Sequence, residues 1–424
     1  MNKILKFPLH AANTVRKRII ADRLDKKALT ELIKHKNARS TDGKAKVVFI
    51  VQYIPAWNKL QPVYEEIKRR DDMEAFILCV PISIKNHEFF GTIRENDTYK
   101  YFKEHGYKCI NAHVNGQWFD LECFCPDYVF HSRPYDTFMP VIYTSGVIAK
   151  YAVVCNILYG ASMSVRMRNT IYNRDYYRNC CYYFALDKTE ADFWNDRYKR
   201  GVRAGVQKAF SVGSTAFESI LDAKCDKKSS RTLIMWTPRW TTDKTVGGSN
   251  FFNYKDAFLE AAEKDGDTDY LFRPHPLMFG NFVNTGQMTA AEAEDYKRRC
   301  AELPNTELDS KKEYAETFWQ TDMLVTDISG IMIEYFITGK PMIYCTSDVE
   351  HEFTDCYKPM IAACYIVHNK KELHETIAML KSGSDPMAEK RREVIKYYLG
   401  DGSKASVRTA DIIANDYKQQ EREN

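Results

Sequence analysis

Short apolar runs alternate with stretches of helical spacing along most of this chain. Val47-Val48-Phe49-Ile50-Val51 reads as a buried strand, Val63 to Arg70 as a helix and Ala75 to Val80 as a second strand. Further runs at Tyr128-Val129-Phe130, Val153 to Leu158, Cys181 to Leu186 and Phe210 to Gly213 continue the series to about residue 215. A polar stretch from Asp222 to Arg231, rich in Lys, Asp and Ser, reads as a linker. The alternation then resumes, with strands at Thr232 to Trp236, Tyr270 to Phe272, Met323 to Val325 and Met342 to Tyr344, and helices at about Tyr254 to Lys264 and Gly330 to Thr338. Strands separated by helices predict parallel sheets, and parallel sheets bind ligands at the carboxyl ends of their strands. The expectation is an α/β chain of two Rossmann-like halves.

At 424 residues the chain exceeds one ordinary core. The expected division is a tail over 1–45, a first α/β domain over 46–221, a second over 230–395 and a terminal helix over 396–424. A hydrophobic fraction of 44% with 13% aromatic residues is that of a packed globular protein, so disorder is not expected.

Charge changes the picture at the N-terminus. Through Lys46 there are thirteen Lys and Arg against four Asp and Glu, so the tail is about +9 and the remainder about −5. Between Ile4 and Leu32, residues Leu5, Leu9, Val15, Ile19, Ile20, Leu24 and Leu29 fall near a helical spacing beside this basic face. The combination suits an anionic membrane surface through residues 1–40, and equally a solvated helix with no partner. Nucleic acid is not expected as a partner, because Phe7 alone interleaves the basic residues. No apolar run approaches the roughly 20 residues of a spanning helix, and no signal-peptide pattern opens the chain, so a cytoplasmic location, peripheral on the inner face of the membrane, is expected. The 12 cysteines include Cys180-Cys181 and Cys123-Phe124-Cys125, neither with zinc-ribbon spacing, and Cys109 and His113 are the only other ligand types near them. They read as thiols of a reducing compartment, with no metal site.

The candidate chemistry lies at predicted strand ends. In Thr326-Asp327-Ile328-Ser329-Gly330, Ser329 reads as a helix N-cap, and Gly330 lets backbone amides approach an anion closely. Glu334, about one and a half turns on, is placed to accept ribose hydroxyls. In Phe272-Arg273-Pro274-His275-Pro276 two prolines stiffen a loop that presents a guanidinium fork and an imidazole. Trp236-Thr237-Pro238-Arg239-Trp240 offers Thr237 and Arg239 to phosphate, and Gly247-Gly248 follow as a flap. Gly339 with Pro341 reads as a helix stop, and Gly400-Asp401-Gly402-Ser403-Lys404 as the start of a final helix whose Lys404 could aim an amine at phosphate. Each of these segments also suits an ordinary strand-end turn.

Taken in order, five elements resemble the CDP-glycerol glycerophosphotransferases, which build teichoic-acid and related polyol-phosphate polymers. They are Trp236 to Trp240 with Ser249-Asn250-Phe251, Arg273-Pro274-His275-Pro276, Thr326-Asp327 through Ser329, Gly339-Lys340-Pro341, and Asp401-Gly402 with Lys404-Ala405-Ser406 and Arg408. A looser match runs through Arg133-Pro134-Tyr135-Asp136 and Asn156 to Gly160. The resemblance implies a GT-B fold, two Rossmann-like domains facing a cleft. It also implies transfer of a polyol phosphate, glycerol phosphate foremost, from a CDP-activated donor to a hydroxyl of a polymer or lipid-linked acceptor, with CMP leaving. His275 and Arg273 would then serve the leaving group, and Ser329 and the Gly330 amide the diphosphate. Glu334 would serve ribose, with Thr237, Arg239, Asp327 and Lys404 completing the donor side. Where the family commonly carries a His-Gly pair that supplies a base, this chain has Tyr159-Gly160, and an unperturbed tyrosine, with a pKa near 10, is a poor base. Either the base is then Asp136, with His131 as the other choice and Tyr159 on the acceptor side, or the transferred group and acceptor differ from the family's usual ones. No motif calls for a cofactor, and Mg²⁺ stays open for a diphosphate donor. Two other readings share these residues: a GT-B glycosyltransferase using a nucleotide sugar, and a donor-binding pseudoenzyme.

Overall fold

The computed structural model describes residues 6–35, 43–81, 83–85, 88–89, 96–157, 159–160, 162–172, 174–243, 248–311, 313–347, 349–402 and 404–423. Ile4, Leu5, Leu158, Gly247 and Ser403, named above, lie outside them, as does the side chain of Leu9. The chain divides into two compact units, one of 1–159, 170–212 and 404–424, the other of 160–169 and 213–403.

In the first unit, strands β1 (Ala45–Val51), β2 (Met73–Cys79), β3 (Cys109–Asn111), β4 (Tyr128–His131), β5 (Val153–Ile157), β6 (Tyr182–Ala185) and β7 (Lys208–Ser211) form one sheet in the order β7-β6-β5-β4-β1-β2-β3. Every neighbouring pair is parallel. Helices cover such a sheet on both faces, so its central strands read as unbroken apolar runs, and Val47 to Val51 are buried without alternation. The strand order reverses between β1 and β4.

The second unit repeats the plan with β8 (Thr232–Thr237), β9 (Thr268–Phe272), β10 (Thr306–Leu308), β11 (Met323–Thr326), β12 (Met342–Cys345) and β13 (Tyr365–Val367), in the order β10-β9-β8-β11-β12-β13 and all parallel. Renumbered within the unit this is 3-2-1-4-5-6, the doubly wound order whose ligand crevice opens at the carboxyl ends of the two strands where the order reverses. Those strands are β8 and β11. Trp236 on β8 is buried among Phe251, Phe258 and Phe272, an aromatic core that fixes the strand ends carrying the site.

Two features of the first unit depart from the expected division. The last helix, Ala405–Glu423, belongs to it: Ala410 and Ile413 are buried in its core, Asp411 pairs with Arg70 at 2.8 Å, and Tyr128 donates to Asp416 at 2.7 Å. Lys404, at the head of that helix, is therefore counted with the first unit. The N-terminal helix, Lys6–Lys34, is tied down over its second half, where Leu32 is buried and Asp25 bridges Arg178 and Arg197 at 2.8 and 2.9 Å.

Candidate functional site

The crevice of the second sheet is built at the ends of β8 and β11. Thr237, the last residue of β8, donates its hydroxyl to the Thr326 hydroxyl at 2.9 Å, joining the two strands where they part. Asp327 follows, fully enclosed. One of its oxygens, Oδ2, accepts from the backbone amides of Arg239 at 2.9 Å and Asn250 at 3.1 Å. That carboxyl pins both ends of the loop after β8 to the loop after β11, and burial pushes its pKa up to about 7 against the pull of those amides and of Arg239. Its other oxygen has no hydrogen-bond partner among the described residues. The Arg239 guanidinium donates to the Ile328 carbonyl at 2.7 Å, which holds a cation beside the Asp327–Gly330 turn.

Ser329 does not cap the helix that follows. The helix is Ile331–Phe336, its N-cap is Gly330 in the right-handed region (φ −59°, ψ −24°), and no side chain caps it. A tight turn from the Met332 amide to the Ser329 carbonyl, at 3.1 Å, closes the backbone instead, and the Ser329 hydroxyl makes no hydrogen bond among the described residues. It is left for a ligand oxygen. Glu334 is buried and accepts from the Tyr314 hydroxyl at 2.5 Å.

The loop after β9 carries Arg273 and His275. Arg273 lies over the Tyr314 ring, pairs with the buried Asp309 at 2.5 Å and donates to the Lys311 carbonyl, so its fork is engaged within the loop system. His275 presents an imidazole. Its Nδ1 accepts from the Leu277 amide at 3.2 Å, which leaves the proton of the neutral ring on Nε2. Part of the ring meets solvent, yet packing around the rest of it and, second, the Arg239 charge push its pKa down to about 4. At neutral pH it is an uncharged hydrogen-bond donor.

His351 escaped the sequence reading. It sits on the loop after β12, and its buried Nε2 has no hydrogen-bond partner among the described residues. Burial first and the Arg239 charge second lower its pKa, so one cation influences both imidazoles. The loop is fixed on two sides: the Glu352 carbonyl accepts from the Val165 amide at 2.9 Å, and Gly248 packs so closely that a Cβ there would stand 2.7 Å from Val349. No motif surrounds His351, and only the rule that ligands gather at strand carboxyl ends pointed toward its loop.

In the first unit, Asp136 accepts from the Ser145 amide at 2.8 Å and from its hydroxyl at 2.5 Å, which anchors the short helix Ser145–Ile148. Burial raises its pKa against those bonds. His131 is buried, its Nε2 bonded to the Tyr143 carbonyl at 2.9 Å, and burial lowers its pKa. Tyr159 packs edge-on against Tyr135 at 5.7 Å, and burial raises its phenol far enough to keep it protonated.

Known proteins bear on this geometry. Residues 212–415 match the family described as CDP-glycerol:poly(glycerophosphate) glycerophosphotransferase. No curated protein matches the chain. Among solved structures, the UDP-GlcNAc 2-epimerase from Neisseria meningitidis bound to UDP-GlcNAc is similar at a TM-score of 0.55 and 14% identity, over 87% of this chain and 99% of that one. The Methanocaldococcus jannaschii UDP-GlcNAc 2-epimerase in complex with UDP-GlcNAc and UDP gives 0.52 and 16%, over 87% and 99%. A structure of the wall teichoic acid polymerase TagF gives 0.51 and 14%, over 99% of each chain. These likenesses show a shared fold of two Rossmann-like domains, the GT-B type. Residues 212–415, which carry every strand of the second sheet and both histidine loops, are thus similar to the CDP-glycerol:poly(glycerophosphate) glycerophosphotransferase family over a little under half of the chain, and the protein is a transferase.

Proposed function

We propose that the protein moves glycerol phosphate, or a closely related polyol phosphate, from a CDP-activated donor to a hydroxyl of a cell-surface polymer or lipid-linked acceptor in teichoic-acid-type synthesis. The observation that carries the reading is the crevice between β8 and β11, where an uncommitted Ser329 hydroxyl, the Arg239 cation and the Nε2–H of a neutral His275 lie on adjoining loops. In the reaction the acceptor oxygen bonds to the phosphorus of the polyol phosphate, the bond from that phosphorus to the CMP oxygen breaks, and CMP departs with the electron pair. Charge grows on the departing phosphate. Arg239 and His275 supply a cation and a hydrogen bond to it, fixed in place before the reaction. Ser329 holds a diphosphate oxygen, and Glu334, oriented by Tyr314, serves the ribose.

The acceptor hydroxyl must lose its proton. In this reading Asp136 takes it, because a carboxylate with a raised pKa is a stronger base than an ordinary one. Tyr159 remains a neutral phenol beside the acceptor.

The N-terminal helix supplies the membrane side of the proposal. Val15, Ile19, Ile20 and Leu24 are exposed, Val15 at 55% and Ile19 at 50%, amid Arg16, Lys17, Arg18 and Arg23. An apolar stripe flanked by cations favours an anionic lipid surface, which would hold the enzyme at the cytoplasmic face of the membrane near a lipid-linked acceptor. Among the described residues no helix is long and apolar enough to cross a membrane.

Thermal unfolding with candidate donors tests the donor class. A ligand at 100 times its Kd stabilises the folded state by about 2.7 kcal/mol. CDP-glycerol or CDP-ribitol is expected to raise the transition, whereas UDP and GDP sugars are expected to leave it in place. A response confined to UDP or GDP sugars would make the protein a nucleotide-sugar glycosyltransferase.

A further inference from the structure

The first sheet has its own reversal point, between β1 and β4, and two arginines stand there without a carboxylate partner among the described residues. Arg133 follows β4. Its guanidinium lies over Tyr53 at 5.1 Å and over Phe138 at 5.1 Å and donates to the Gln52 side-chain oxygen at 2.6 Å, while its Nε is buried with no partner among the described residues. Arg174 lies over Tyr135 at 4.6 Å, and its NH1 is likewise buried with no partner among the described residues. Tyr135 joins the two, touching Phe138 edge-on at 5.9 Å and Tyr159 at 5.7 Å. The cluster therefore spans the carboxyl ends of β1, β4 and β5, where a doubly wound sheet takes its ligand.

Charge accounting points to what is missing. Of the nearby acids, Asp136 is held by Ser145 and Asp175 pairs with Arg178 at 2.7 Å. Buried guanidinium nitrogens are costly unless they meet an acceptor, and a guanidinium stays charged in a protein. Gln52 is a neutral amide and cannot balance the charge; its nitrogen donates to the Pro81 and Phe138 carbonyls, which turns its oxygen to Arg133. Two planar forks on aromatic faces, with tyrosine hydroxyls around them, match a phosphate bearing a polyol: forks for the oxyanions, phenols for the hydroxyls.

We propose that Arg133 and Arg174, with Tyr53, Tyr135 and Tyr159, form the acceptor subsite and bind the phosphate of the polyol-phosphate unit whose hydroxyl is extended. The assignment rests on the transferase reading above, and it makes the acceptor an anion recognised by charge rather than by apolar contact.

The test uses the full-length enzyme and a short synthetic oligo(glycerol phosphate). Arg174→Gln removes a cation that makes no side-chain hydrogen bond among the described residues, and Arg133→Lys keeps the charge but loses the fork. Each variant is expected to raise the KM for the oligomer at least tenfold and to weaken its binding in calorimetry to the same degree. The Kd for CDP-glycerol should stay within twofold. Unchanged oligomer KM and Kd in folded Arg174→Gln would overturn the proposal, and so would a loss that falls on CDP-glycerol instead. Wild-type protein that binds the oligomer through Arg174 yet turns over no CDP-polyol would sink the transferase reading and leave the subsite standing. Binding of inorganic phosphate with the same affinity as the oligomer would show a bare anion site and overturn the acceptor assignment.

Discussion

Asp327 shows how one residue can be placed by its sequence motif and still be given its task only by its contacts. It was expected to meet the donor, and its Oδ2 accepts from the Arg239 and Asn250 amides, which holds together the loops that make the crevice. Enclosure has a measurable price in pH. The folded-state pKa of about 7 lies above the unfolded value near 4, so between those pH values the folded chain binds more protons than the unfolded one. Stability from this group is thus present at low pH and is lost as pH rises from about 4 through about 7, on the order of a few kcal/mol at about 1.4 kcal/mol per pKa unit. Chemical denaturation of wild type and Asp327→Asn at pH 5 and pH 8 should show a fall for the wild type and a much flatter response for the variant. Equal falls would mean the carboxyl ionises normally. Residue types were legible at these positions because strand ends and prolines mark them. Partners were not: Asp309 lies 36 positions from Arg273, and nothing local says that it will claim the guanidinium.

The connection Gly339-Lys340-Pro341 carries the same lesson for elements. Read in sequence it is a helix stop, and Gly339 does adopt φ +76°, a conformation that side-chain-bearing residues resist. What the pattern does not disclose is the lysine's work. Lys340 Nζ donates to the carbonyls of Phe318 at 3.2 Å, of Thr321 at 2.7 Å and of Trp319, closing the end of the helix Ala315–Gln320. Burial pushes its pKa down to about 8, so it is still mostly charged at neutral pH. Lys340→Met should therefore cost about 1.5–3 kcal/mol, the range for hydrogen bonds to a charged group. A loss under about 0.5 kcal/mol in denaturant titration, the usual size of an inconsequential surface change, would deny it that role. Strands long enough to show a period were found at their places, whereas β3, β10 and β13, three residues each at the sheet edges, gave no pattern to read. The helix after Ser329 begins later than its capping residues suggest because a backbone turn, not a side chain, starts it.

For the whole molecule, the repeated α/β plan could be read from alternation alone, since each half must cover both faces of a parallel sheet. The return of Ala405–Glu423 to the first unit could not, because its contacts, such as Tyr128 with Asp416, span most of the chain. The N-terminal helix divides in a way the apolar stripe concealed: its second half is tied to the first unit through Asp25 and Leu32, while Val15, Ile19, Ile20 and Leu24 stay exposed. Deleting the whole helix would remove the Asp25 bridges, so the cleaner variant is Ile19→Ser with Ile20→Ser. That variant should sediment less with anionic vesicles than wild type does at low salt, and added salt should lower wild-type binding through screening of the basic residues. Sedimentation equal to wild type would return the stripe to a plain solvated face.

The central claim is tested most directly by CMP release from CDP-glycerol in the presence of a poly(glycerol phosphate) or lipid-linked acceptor, with wild type and His275→Ala side by side. The account predicts acceptor-dependent CMP release by the wild type, and a loss of more than tenfold in the variant with only a modest change in donor binding. Absence of CMP from every CDP-polyol tried, or equal rates from the two proteins, would contradict it.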